Sequence, residues 1–233
     1  MPKIHTTHHG KKNKKVIFLI GGWTYKPRLL WLPAIMLKRS GYYCITYTYP
    51  NDTFSPNYQK TVKDLLEIKK DILLKIKQLK KEGYKTFYVF GTSLGTVLAT
   101  LVANESSDVS KIILNTTGAD TAESVWSWDK INLYFKQDLH KQNITLEKLI
   151  NHWKPISPQF NMDKLRDKDI LIYLSKNDEL IPYSQGEKFV EKCKENKYNY
   201  RVVINQHLKH GLAGMYNLLN ANIYLRFLDE AKV

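Results

Sequence analysis

Hydrophobic positions along the chain follow two spacings that replace one another in turn. Val16-Ile17-Phe18-Leu19-Ile20 is an unbroken apolar run between Lys14-Lys15 and Gly21-Gly22, the pattern of a short strand buried on both faces of a parallel sheet. Residues 28–39 read as a helix, and 42–49 as a second strand that stops at Pro50-Asn51-Asp52. The strongest helix covers 61–82. There Val62, Leu65, Leu66, Lys69, Ile72, Leu73, Ile76 and Leu79 keep a near-3.6 spacing, with the Lys69 stem lying along the apolar stripe while its ammonium stays in water. Gly83 closes that helix as the residue just past its C-cap. Strand 86–90, helix 94–104 and strand 109–114 continue the alternation. It breaks over 115–158, an aromatic, irregular stretch, and resumes with strand 170–174, helix 184–195, strand 200–204 and helix 212–228. Six strands separated by helices predict an α/β fold, a mostly parallel central sheet with helices on both faces and right-handed crossovers.

Composition bounds this picture. With 233 residues, 43% hydrophobic and 25% charged, the chain has the profile of an ordinary globular domain that closes its core without a metal or cross-links. We expect one domain over 16–233, preceded by a basic flexible tail over 1–15. The insertion at 115–158 is either a lid over a site or a small satellite core. The longest apolar runs, about five residues, fall short of the ~20 that span a bilayer and of a signal-peptide core, so no transmembrane segment is expected. Cys44 and Cys193 form no disulfide framework, which suits a cytoplasmic setting. A formal charge of +14 attracts polyanions whatever the fold. Only five of the 36 basic residues are arginine, and runs such as Lys69-Lys70 and Lys80-Lys81 sit beside the polar side of a helix. No specific nucleic-acid partner follows, only weak association with anionic surfaces.

The chemistry-bearing motif is Phe90-Gly91-Thr92-Ser93-Leu94-Gly95, a Gly-x-Ser-x-Gly placed where strand 86–90 meets helix 94–104. Composition alone produces it about once in 40 such chains, and the strand-to-helix context makes chance less frequent still. A turn this sharp would hold Ser93 Oγ above the sheet, with glycines where side chains would collide. The alternatives are a helix-capping serine and a phosphate cradle, the latter without the lysine that a P-loop needs.

With these residues the sequence resembles the α/β-hydrolase family, in a minimal six-stranded form. The resemblance runs from Val16 to about Leu228 and rests on Gly21-Gly22-Trp23 after the first strand, the motif at 91–95, Asp178 after a late strand and His210-Gly211 before the last helix. The family order of Ser, then acid, then His is kept. Two departures stand out: Gly21-Gly22 replaces the family's frequent His-Gly, and residues 1–15 leave no room for two extra strands.

A serine hydroxyl needs a neutral imidazole within ~2.6–3.2 Å to take its proton. His5, His8 and His9 lie in the tail, and His140 and His152 in the insertion. His210, directly before the last helix, is favoured over His207. The carboxylate that would orient the ring is Asp178, in a loop at the carboxyl end of the sheet, ahead of Asp120 and then Glu179. The resemblance assigns the oxyanion donors to the backbone N–H groups of Leu94 and Trp23, the alternative for Trp23 being a packing residue that only frames the pocket. Gly22, Trp126 and Trp128 are candidate substrate-binding residues. The expected activity is hydrolysis of a small-molecule carboxylic ester or thioester with an apolar acyl or alkyl part, with no cofactor and no metal. The alternatives are a non-catalytic binding module and a peptidase or carbon–carbon hydrolase with the same residues.

Overall fold

A computed structural model describes residues 2–128 and 133–230. Seven strands form one sheet: β1 (His5–His9), β2 (Lys15–Ile20), β3 (Tyr42–Thr48), β4 (Thr86–Thr92), β5 (Val109–Asn115), β6 (Asp169–Ser175) and β7 (Asn199–Asn205). Their order is β1-β3-β2-β4-β5-β6-β7, parallel throughout except for β1, which runs antiparallel to β3. The helices are α1 (Pro27–Arg39), α2 (Tyr58–Lys81), α3 (Leu94–Glu105), α4 (Thr121–Trp126), α5 (Leu133–Lys141), α6 (Leu146–Trp153), α7 (Tyr183–Glu195), α8 (His210–Leu219) and α9 (Ala221–Asp229). The α/β architecture with six parallel strands matches the expectation.

Period-2 alternation sends successive side chains to opposite faces of the sheet. Val16, Phe18 and Ile20 join one buried cluster with α2, α3 and α7. Ile17 and Leu19 join the other, under α1, α8 and α9. The α2 C-terminus closes as expected: Gly83 has φ of +92°, Tyr84 N–H donates to Leu79 O at 3.1 Å and Gly83 N–H to Lys80 O at 3.1 Å, the paired bonds of a Schellman ending. The buried Lys111 ammonium donates to Phe227 O at 2.6 Å and Glu230 O at 2.7 Å, tying the end of α9 to β5.

Three local features differ from the sequence expectation. Residues 5–9 are a strand rather than part of a flexible tail. Their side chains are polar, so no apolar run announces them, but Thr7 Oγ1 meets Thr46 Oγ1 at 2.6 Å and His8 Nδ1 meets Tyr43 Oη at 2.7 Å. The last helix is two helices, because Asn220 leaves helical backbone at ψ of 74°. The 115–158 insertion, whose residues 129–132 lie outside the described part, contains α4, α5 and α6. Phe135, Leu139, Leu149 and Trp153 of this segment are buried in the same cluster as α2 and α3.

The sheet order fixes where a ligand can sit. β3 and β4 flank β2 on opposite sides, so the chain reverses its winding there and the loops after β2 and β4 diverge to leave a crevice at the carboxyl ends of the strands. Gly21-Gly22-Trp23 leaves β2 at this crevice, and Ser93 leaves β4 beside it.

Candidate active site

Between β4 and α3 the backbone must turn within one residue. Ser93 adopts φ of 53° and ψ of −125°, a conformation that non-glycine residues rarely hold and that costs about 1–3 kcal/mol. Neighbouring contacts over-determine it: Ser93 N–H donates to Asn115 O at 2.8 Å, and Thr96 Oγ1 donates to Ser93 O at 2.7 Å. A Cβ on Gly91 would lie 2.2 Å from Gly95 O, and a Cβ on Gly95 would lie 2.4 Å from Ile20 O. Both obstacles are backbone, so neither glycine can be replaced cheaply. A Cβ on Gly22 would sit 3.0 Å from Ser93 Cβ, which places the loop after β2 directly against the serine.

Ser93 Oγ lies 2.7 Å from His210 Nε2. On the far side of the ring, Nδ1 lies 2.7 Å from Asp178 Oδ2 and 2.9 Å from Oδ1. A carboxylate offers only acceptors, so Nδ1 carries the proton and Nε2 is left to accept from the serine hydroxyl. Asp178 is itself held by its loop: Oδ1 accepts from Leu180 N–H at 3.0 Å and Ile181 N–H at 2.7 Å. Its neighbour Glu179 grips the histidine from another direction, with Oε2 accepting from His210 N–H at 2.9 Å. Adjacent acids thus fix the ring and the backbone of one residue.

The loops that carry these groups are stitched together. Ser175 Oγ donates to Leu208 O, Asn177 Nδ2 donates to His207 O at 3.2 Å, and Asn205 Oδ1 accepts from His207 N–H and Leu208 N–H. Below them, buried Asn115 Nδ2 donates to Gly214 O at 2.9 Å and Asn217 Nδ2 donates to Asn115 Oδ1 at 2.8 Å, locking α8 onto the end of β5. Sequence reading did not single out this amide pair; a buried asparagine at a strand end is its only signal.

Ser93 opens onto a cavity of about 100 Å³ lined by Trp23, Phe54, Leu94, Val97, Val125, Trp128, Leu180 and Ile181, with Asp120, Thr121 and Ser124 among its polar groups. Trp23 and Trp128 of this lining stack on one another with planes 7° apart and centroids 6.0 Å apart, and Trp128 Nε1 donates to Leu180 O at 2.7 Å.

The remaining candidates are placed elsewhere. Asp120 caps α4, with Oδ1 accepting from Ala122 N–H and Glu123 N–H and Oδ2 from Gln159 Nε2, whereas the imidazole is met by Asp178. His207 is exposed. Trp126 does not line the cavity, contrary to expectation: on the short α4 its neighbour Val125 faces inward, and Trp126 packs edge-on to His140 at 5.0 Å with Lys136 Nζ 5.5 Å above its ring. Both cysteines are buried, and burial pushes the Cys193 thiol up to about 12 and raises Cys44 as well, so neither is a competing nucleophile. Among the described residues there is no cluster able to hold a metal ion, and no helix is long and apolar enough to cross a membrane.

With the geometry in view, comparison places the chain. The Prolyl oligopeptidase family profile matches residues 54–231, and the chain belongs to that family. Its fold is that of the α/β-hydrolases. Acylaminoacyl peptidase from Pyrococcus horikoshii superposes with a TM-score of 0.71 at 18% identity, over 93% of this chain and 37% of that one. A puromycin-hydrolyzing peptidase from Mycobacterium tuberculosis gives 0.65 at 15% identity, over 90% and 32%. Esterase B from Lactobacillus rhamnosis gives 0.65 at 16% identity, over 98% and 86%. The chain spans about a third of the length of the two peptidases. No curated protein sequence matches it.

The elbow geometry sets a stability contrast. Gly91→Ala should destabilise the fold by about 3 kcal/mol or more, since its Cβ would overlap backbone. Gly211→Ala, where a Cβ meets nothing within 4 Å, should leave stability unchanged or slightly raised. Chemical denaturation of the two variants measures both, and equal losses would show that the elbow relaxes.

Proposed function

We propose that the chain is a serine hydrolase that cleaves a carboxylic ester or thioester through an acyl-enzyme on Ser93. One observation carries the reading: an unbroken hydrogen-bonded line from Asp178 through His210 to Ser93, 2.7 Å at each nearer contact, ends at an apolar cavity.

In this mechanism His210 Nε2 takes the hydroxyl proton as Ser93 Oγ bonds to the carbonyl carbon, and the carbonyl π pair moves to oxygen. The oxyanion is met by the N–H groups of Leu94 and Trp23. Leu94 is the first residue of α3, so its N–H is one that the helix leaves without an internal acceptor. Collapse expels the alkoxide or thiolate, which leaves with the proton from the imidazolium. A water then gives a proton to Nε2 and its oxygen to the acyl carbon, and Oγ departs, recovering that proton. Asp178 keeps the proton on Nδ1 and stabilises the transient imidazolium.

The cavity sets the acyl group. A space of about 100 Å³ is smaller than the ~150 Å³ that accommodates benzene, so an apolar acyl part of about four carbons fits. The family favours a second reading, peptide or amide cleavage by the same residues, in which His210 must protonate an amine leaving group.

Ser93→Ala should lower kcat for p-nitrophenyl butyrate at least about a thousandfold and abolish labelling by a fluorophosphonate; a wild-type serine that resists the probe would make this a binding module instead. Turnover should peak near the butyrate ester and fall steeply by the octanoate, and an aminoacyl p-nitroanilide with a higher kcat/KM than any ester would assign the chain to peptidases. Glu179→Ala should lower kcat about tenfold with little change in KM, because His210 loses a charge-assisted backbone anchor worth about 1.5 kcal/mol. Glu179→Gln, which still offers an oxygen acceptor, should restore most of it.

A further inference from the structure

Acidic residues are distributed unevenly in this chain. Residues 1–51 and 196–228 contain none, against thirteen lysines and arginines, so nearly all of the formal net charge of +14 originates in these two stretches. They supply three helices of one layer, α1, α8 and α9, together with strands β1, β2, β3 and β7. α1, α8 and α9 cover a single face of the sheet, with Asp229 as their one acid, whereas the helices of the other face mix lysines with acids, eight against three on α2. The acid nearest the far end of this layer, Asp229, is paired with Lys15.

The same layer exposes apolar side chains in a row. No Asp, Glu, Lys or Arg occurs from His210 to Leu225. The inward positions of α8 include Ala213, Asn217 and Leu218. Directly opposite them, at helical spacing, Leu212, Tyr216 and Leu219 are 64%, 52% and 43% exposed. On the other two helices of the layer, Ile223 of α9 is exposed, and α1 adds Trp31 at 57% and Leu32 at 46%. Exposed Lys26 and Arg28 flank the Trp31 end, Lys209 opens α8, and Arg226 follows Ile223.

We propose that this face docks on an anionic lipid bilayer surface, with Trp31, Leu212, Tyr216 and Leu219 entering the headgroup boundary and Lys26, Arg28, Lys209 and Arg226 contacting lipid phosphates and carboxylates. An interfacial helix needs an apolar face and a cationic border, and aromatic side chains favour that depth. Charge complementarity selects the occupant. A second copy brings the same positive layer and is repelled. Nucleic acid would match the charge but gives Leu212 and Leu219 nothing to bury against. Because His210 is the first residue of α8, the docked helix begins at the candidate active site.

Flotation with phosphatidylcholine vesicles, with and without 30 mol% phosphatidylserine, tests the proposal. Wild-type protein should float with the serine-containing vesicles and be released in 0.5 M salt, where exposed charges are screened. Leu212→Ser/Tyr216→Ser should reduce binding at least tenfold while butyrate hydrolysis in solution stays unchanged. Ser93→Ala should float like wild type, so a failed hydrolase assignment would not disturb this result. Three outcomes overturn the proposal. Wild type could bind neither vesicle. The double variant could bind as well as wild type, leaving scattered lysines as the cause. Light scattering could also show a wild-type dimer that the double variant converts to monomer, making the face a contact between copies.

Discussion

The bend at Ser93 is the constraint on which the rest depends. A residue at φ of 53° between a strand and a helix can exist only where the two elements almost touch, and they approach that closely because positions 91 and 95 carry no side chain. The same contact brings β2 against the start of α3, since Gly95 abuts the carbonyl of Ile20. Holding the loop after β2 at the serine is therefore a geometric by-product of making the turn. A strain of about 1–3 kcal/mol is small beside the burial of β2, β4 and α3, so the sheet tolerates it.

The histidine and its acid reach the serine by another route. They come from loops after β7 and β6, which are joined at their start where Lys176 N–H donates to Asn205 O at 2.9 Å. Side-chain bonds extend that joint, from Ser175, Asn177 and Asn205 between the two loops and from Asn115 and Asn217 beneath α8. The serine is thus positioned by the core, the histidine by polar tethers. Losing a tether frees the imidazole, whereas losing a glycine at the elbow perturbs the fold.

This division explains what was legible in the sequence. Ser93, Asp178 and His210 could be found because each follows a strongly patterned strand or precedes a patterned helix, and residue order did the rest. The six parallel strands were legible because central strands are apolar on both faces. β1 was not, because an edge strand can be held by threonine and histidine hydroxyl and ring contacts with no apolar run. The break at Asn220 was missed because apolar spacing continues across it. Trp126 and Trp128 look alike in sequence; the length and rotation of a six-residue helix decide which one reaches the cavity. Glu179 was considered as a rival to Asp178, whereas its carboxylate bonds the backbone of the residue whose ring its neighbour orients.

The near absence of acids from the α1, α8 and α9 layer has a consequence for how the molecule meets a surface. Positive charge is also in excess on α2, eight lysines against three acids, so an anionic plane attracts both sides of the molecule from a distance. Long-range attraction therefore gathers the protein at the plane, and the short-range burial of the α8 side chains decides which side stays down.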